Sequence, residues 1–232
     1  MSRIYIKAGS KEKIIVFLHG WGVYKETWKN LFPQLSNYYT LYALDLPGFG
    51  SNQDIPPKFV LDDYVKFLND FLEQNSIHSC ILVGHSFGAN IAALFTVTYP
   101  EKVEKLVLYS GGLVLNTTSK KPQQFITYSL IFFSMVTRWI KNRKLNLNDY
   151  SILKNLYKNT HGRDKAVGNK QGIHQPVLLI AGRYDFLIPL SRFRMLGKLL
   201  PTSQLVVFNH STHGAHREEK KKFLATLQNF LR

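Results

Sequence analysis

The 232-residue chain is predicted to be an α/β protein, a doubly wound and mostly parallel sheet with a small helical cap. Three observations carry this. Short apolar runs of strand length recur along the chain, and amphipathic segments of helical period lie between them. One long interval breaks the alternation. Hydrophobic residues at 45% and charged residues at 19% belong to a folded chain and not a disordered one, and the length suits a single core domain.

In chain order, "IIVFLHG" from Ile14 is the first strand: apolar, β-branched or aromatic, and closed by glycine. A helix is expected over Lys25 to Leu35, then a strand in "YTLYALDLPGFG" from Tyr39. The segment Leu61 to Asn75 is the clearest helix, because Tyr64, Phe67, Leu68, Phe71 and Leu72 recur at three or four and form one stripe. "CILVGHSFG" from Cys80 gives a strand, Ser86 to Tyr99 a helix, and "KLVLYSGG" from Lys105 another strand. After the interval come the strand "PVLLIAG" from Pro176, a helix over Ser191 to Leu199, the strand "QLVVFNHSTHG" from Gln204 and a helix over Glu218 to Leu231. Strand and helix alternating in this way give parallel pairing with crossover helices.

The interval, residues 119–172, is expected to be a cap inserted into a core formed by 1–118 and 173–232. It holds eleven Lys and Arg against two Asp, so nine of the fifteen excess positive charges fall there. Within it, Phe125 to Ile140 is apolar around most of a helix. Sixteen residues reach only about 24 Å, short of the roughly 30 Å of a bilayer core, so this segment reads as a lid over an apolar pocket. A helix lying on anionic lipid is the other reading. The net charge of +15 suits an anionic partner, but no zinc-finger spacing or aromatic-basic motif points to nucleic acid.

Cys80 is the single cysteine, so no internal disulfide forms, and it opens an apolar run where a small buried residue belongs. The first residues lack the apolar core of a signal peptide, which makes the cytoplasm the expected compartment and leaves the sequons at Asn116 and Asn209 unused.

"GHSFG", Gly84 to Gly88, lies between an apolar strand and a helix, the setting in which a serine is held on a sharp strained turn. Ser86 is the expected nucleophile. It needs a base and a carboxylate to orient that base, in the chain order serine, acid, histidine. Asp185, just past a strand in "GRYDFLIP", and His213, just past the next strand, satisfy the order. Asp45 precedes the serine and sits where a carboxylate caps a turn. His210 lies too close to a strand end and His216 at a helix start, so His213 is preferred to both; His19 reads as a brace for the loop that follows it. That loop, "HGWG", has glycines that allow a tight backbone path. Its Trp21 N–H and the N–H of Phe87, the residue after the nucleophile, are the expected oxyanion donors. The Trp21 indole either walls the acyl pocket or packs on the core.

"HGWG", "LDLPGFGSN", "GHSFG", "GRYDFLIP" and "THGAHREE" together resemble the α/β-hydrolase superfamily over residues 12–118 and 173–232. The resemblance implies that fold, Ser86, Asp185 and His213 as a triad, and Trp21 and Phe87 as oxyanion amides. It implies no cofactor. A serine at position 86 argues against haloalkane dehalogenases and epoxide hydrolases, which the resemblance expects to carry aspartate there. "HGWG", a later Trp and "LDLPGFG" are also similar to the biotin-pathway carboxylesterases that cleave the methyl ester of pimeloyl acyl-carrier protein, an acidic partner that a basic cap would suit. Two positions depart from them: His85 where they usually have Trp, and Ala89 where they have Gly. The expected activity is hydrolysis of a small-molecule carboxylic ester or thioester with an apolar acyl group. C–C bond hydrolysis, acyl transfer, and a non-catalytic small-molecule receptor on the same scaffold are the alternatives.

Overall fold

The computed structural model describes residues 4–53, 59–111 and 172–232. Of the expected cap, everything but Gly172 lies outside them, and so does the apolar segment Phe125 to Ile140. Among the described residues, seven strands form one sheet: β1 (Tyr5–Ala8), β2 (Ile14–Leu18), β3 (Thr40–Leu44), β4 (Cys80–His85), β5 (Val103–Tyr109), β6 (Val177–Gly182) and β7 (Ser203–Phe208). The order is β1-β3-β2-β4-β5-β6-β7, with every pair parallel except β1 against β3.

The apolar runs are continuous because both faces of the sheet are covered. Side chains alternate between two cores. Val16, Leu18, Leu82, Leu106 and Leu179 pack on the face that carries α2 (Leu61–Gln74), α3 (Phe87–Thr98) and α4 (Leu190–Leu199). Ile15, Phe17, Ile81, Val107 and Ile180 pack on the face that carries α1 (Phe32–Leu35) and α6 (Lys220–Leu231). Cys80 is buried at the start of β4, and burial pushes its thiol up, so the group is inert packing.

Three elements differ from expectation. β1 is an additional strand. The segment Lys25 to Leu35 is not one helix: a 3-10 stretch, Lys25–Leu31, passes into α1 at Phe32, where Pro33 in the first turn has no N–H to continue the earlier ladder. The helix expected from Glu218 to Leu231 runs as α6 (Lys220–Leu231), and a short additional α5 (Ala215–Glu218) precedes it, separated because Glu219 leaves helical geometry and its carboxylate accepts hydrogen bonds from the His210 N–H and the Ser211 hydroxyl.

The chain goes from β2 outward to β3 and then returns to the other side of β2 to lay down β4, so the winding reverses between β2 and β4. In an open parallel sheet the crevice forms outside the carboxyl ends of two such strands. Leu18 pairs with Gly84, which brings the residues after both strands, "HGWG" and "HSFG", side by side.

Candidate active site

Ser86 sits on the turn from β4 into α3 with φ 52° and ψ −111°, a backbone conformation that a non-glycine residue adopts only under constraint. The constraint is visible around it. Ser86 N–H donates to the Tyr109 carbonyl at 2.8 Å and Gly88 N–H to the His19 carbonyl at 3.1 Å. A Cβ on Gly88 would overlap the carbonyls of Leu18 and His19, and one on Gly111 would overlap the Ser86 backbone. Only hydrogen at those two α-carbons lets three strand ends crowd against the bend.

The loop after β2 is fixed by His19. Leu46 N–H donates to His19 Nε2 at 3.0 Å, so the ring hydrogen is on Nδ1, which donates to the Gly20 carbonyl at 2.8 Å. Complete burial lowers the His19 pKa to about 4, and the ring is neutral. The Gly20 carbonyl and the Trp21 N–H share one planar trans peptide and point in opposite directions, so this bond turns the Trp21 N–H away from His19. Gly20 itself lies against the bend: a Cβ there would stand 3.2 Å from Ser86 Cβ. Among the described residues, neither Trp21 N–H nor Phe87 N–H has a hydrogen-bond acceptor. The Trp21 indole is core, buried edge-on against Phe49 and Phe87 at 4.9 and 5.2 Å between ring centres.

Asp185 follows β6 and His213 follows β7, and the structure brings them together. His213 Nδ1 stands 2.8 Å from Asp185 Oδ2. The other carboxylate oxygen, Oδ1, accepts the N–H groups of Leu187 and Ile188 at 3.0 and 2.9 Å, which fixes the plane in which Oδ2 faces the imidazole. Asp185 is buried and His213 is slightly exposed, so Nδ1–H donates to a dry carboxylate and Nε2 is left as the ring's acceptor. The His213 ring centre is 4.9 Å from that of His85, the residue preceding Ser86.

The other candidates fall elsewhere. Asp45 is fully buried beneath the "HGWG" loop and accepts from Lys25 N–H, Lys25 Nζ, Ser51 N–H and the Ser51 hydroxyl at 2.5–2.8 Å. His210 is exposed, with its N–H on Glu219. His216 is buried, and burial lowers its pKa to about 3. Three residues not singled out for the site from sequence stand around it. His85 and Tyr109 both donate to the His213 carbonyl, and Thr27 contacts His216 Nε2 at 3.2 Å. The one sequence signal was His85 in place of an expected Trp.

Among the described residues no helix is long and apolar enough to cross a membrane. The family model described as the alpha/beta hydrolase fold matches residues 13–144. The human protein named "Epoxide hydrolase 4" is 28% identical over 160 residues, covering 66% of this chain and 44% of that protein. The "Pimeloyl-[acyl-carrier protein] methyl ester esterase" of Wigglesworthia glossinidia brevipalpis is 35% identical over 106 residues, 45% of this chain and 38% of its own. The match thus spans less than half the length of each of these two relatives. A thermophilic esterase from Thermogutta terrifontis, solved with malate bound, superposes with a TM-score of 0.78 at 17% identity, over 98% of this chain and 92% of that one, a likeness of fold.

Proposed function

The chain belongs to the alpha/beta hydrolase fold family, and from that premise we propose that it is a serine hydrolase that cleaves a carboxylic ester or thioester through an acyl-enzyme. The observation that carries the reading is the 2.8 Å contact between His213 Nδ1 and Asp185 Oδ2 at the same end of the sheet as the strained turn of Ser86. His213 Nε2 takes the Ser86 proton as the hydroxyl oxygen attacks the acyl carbon. The oxyanion that forms is met by the Trp21 and Phe87 N–H groups, a type of contact typically worth about 3 kcal/mol for each donor. The imidazolium returns its proton to the leaving alcohol or thiol, and water activated by the same nitrogen then releases the acid. Asp185 holds the tautomer throughout.

A serine on the bend favours acyl chemistry over the aspartate-based chemistry that the resemblance associates with epoxide opening. The pimeloyl-carrier methyl ester is the second reading. It is favoured by the Wigglesworthia relative and by the basic character of residues 119–172, which suits an acidic carrier; an anionic lipid surface is the competing use of that charge. Ser86→Ala is expected to abolish hydrolysis of a short p-nitrophenyl ester and labelling by a fluorophosphonate with the fold intact by circular dichroism. Retained turnover refutes the reading, and a wild-type protein that neither turns over nor labels indicates a receptor on the same scaffold.

A further inference from the structure

The carbonyl oxygen of His213 accepts two hydrogen bonds from the neighbouring strands: His85 Nε2–H at 2.9 Å from the end of β4, and the Tyr109 hydroxyl at 3.0 Å from the end of β5. The second bond belongs to one consistent assignment of hydrogens along a short chain of side chains. A tyrosine hydroxyl has one hydrogen, and the Tyr109 oxygen also lies 3.1 Å from His216 Nδ1 and 3.3 Å from His216 N. If its hydrogen goes to the His213 carbonyl, both contacts from His216 must be donors, N–H and Nδ1–H. His216 Nε2 is then bare and accepts from the Thr27 hydroxyl at 3.2 Å. In that assignment every hydrogen in the run Thr27, His216, Tyr109, His213 has one acceptor. The opposite His216 tautomer would take the tyrosine hydrogen for itself and leave the His213 carbonyl to His85 alone.

The surroundings hold these rings in place. The His85 and Tyr109 rings stack at 4.4 Å with planes 27° apart, Trp28 lies 5.3 Å from the His216 ring, and Phe223 of α6 backs Tyr109 at 5.1 Å. His85 is almost wholly buried, and its Nδ1 has no partner among the described residues, so the ring has one polar task, the bond to His213. Elsewhere in the loop Thr212 and Ser211 are tied to Glu218 and Glu219, which leaves the His213 carbonyl as the point where β4 and β5 grip the base directly.

We propose that Tyr109 and His85 are positioning residues for His213, a two-sided clamp on its backbone carbonyl that holds the imidazole in register with Asp185, with His216 and Thr27 setting the direction of the Tyr109 hydroxyl. The inference rests on the reading of His213 as the general base. Neither clamp residue touches the reacting atoms; each acts through the placement of one backbone unit.

The test is kinetic. Tyr109→Phe keeps the ring stack and removes one donor. On p-nitrophenyl butyrate it is expected to lower kcat about tenfold with KM unchanged, the factor of one neutral hydrogen bond. Fluorophosphonate labelling of Ser86 should slow in the same ratio. His85→Phe should act alike, and His85→Gln, which restores an N–H donor, should recover part of the loss. In a His213→Ala background Tyr109→Phe should leave the residual rate unchanged, because the residue it positions is gone. Wild-type kcat in Tyr109→Phe, or an equal loss in the presence and absence of the His213 imidazole, overturns the clamp while Ser86→Ala remains dead. Full activity in His213→Ala itself, or no labelling of the wild-type protein, overturns the serine-hydrolase reading and the clamp with it.

Discussion

Asp45→Asn is expected to destabilise the protein by about 3 kcal/mol at neutral pH, and the structure supplies each part of that figure. The carboxylate is fully buried and binds four donors, three of them on Oδ2: Lys25 Nζ at 2.5 Å, Ser51 N–H at 2.7 Å and the Ser51 hydroxyl at 2.7 Å. An amide in its place keeps the volume, loses the charge and turns two hydrogens toward groups that are themselves donors. Removing one partner of a buried ion pair costs about 3–5 kcal/mol, because the remaining charge stays out of water. Glu26 stands 3.4 Å from the same ammonium and is partly exposed, so it takes over some of the interaction and places the cost at the low end. Burial alone would push the Asp45 carboxyl up; its hydrogen bonds to Lys25 and Ser51 outweigh that and hold it below the usual carboxylate range. A depressed carboxylate contributes its stability above the unfolded pKa and loses it as pH falls through the folded one, so the difference persists between about pH 7 and pH 5. Urea titration followed by tryptophan fluorescence measures it. In a chain of this size each kcal/mol moves the thermal midpoint about 2–4 °C, so a drop of about 6–12 °C is expected. Lys25→Met added to Asp45→Asn should recover at least half the loss by removing the stranded ammonium. A cost below about 1 kcal/mol, or a double variant no better than the single one, would show that the pair is not what holds the "HGWG" loop to the loop after β3.

The protein is also expected to lose stability on mild acidification. Burial lowers His19 to about 4 and His216 to about 3 and holds His85 well below its ordinary value, so below about pH 6.5 the unfolded chain binds protons that the folded one refuses. That linkage removes about 2 kcal/mol for each of His19 and His216 between pH 7 and pH 5. Urea midpoints at the two pH values at fixed ionic strength check it, and equal midpoints contradict it. Gly20→Ala puts a methyl carbon 2.9 Å from His85 Nδ1 and 3.2 Å from Ser86 Cβ, so the loop must move away by a few tenths of an ångström. Turnover is expected to fall by at least about tenfold while the melting temperature changes little, since misplacement of this kind acts on the transition state. Wild-type kcat in that variant would mean the Gly20–Trp21 amide does not need its present distance from the serine.

The sheet was legible where both faces of a strand are buried. In β4 and β6 every residue is covered, so the apolar runs stood out from the polar turns on either side. β1 escaped because it is four residues long, pairs on one side only and has Lys7 exposed in its middle. The 3-10 stretch before α1 and the short α5 escaped for different reasons. Pro33 was visible but lies inside an otherwise helical pattern, whereas the break at Glu219 depends on its carboxylate reaching back to His210 and Ser211. For the site, chain order and the strand-end positions of Asp185 and His213 pointed to a pair that the folded chain holds at 2.8 Å, because the ends of parallel strands necessarily share one edge. The roles of that pair remain the proposal tested by Ser86→Ala. The clamp could not have been read from sequence. It depends on β4, β5 and α5 meeting side by side, and nothing in the spacing of His85, Tyr109 and His216 announces that contact.

The strand order has a consequence for how the molecule comes into being. From β4 onward each new strand pairs with the one made before it, so the sheet can be extended at a single growing edge as the polypeptide leaves the ribosome. On the proposed chemistry the hydroxyl is installed after β4, the carboxylate after β6 and the imidazole after β7. On that chemistry a nascent chain carries an unarmed serine from the making of β4 until the loop after β7 docks, and only then becomes competent for hydrolysis.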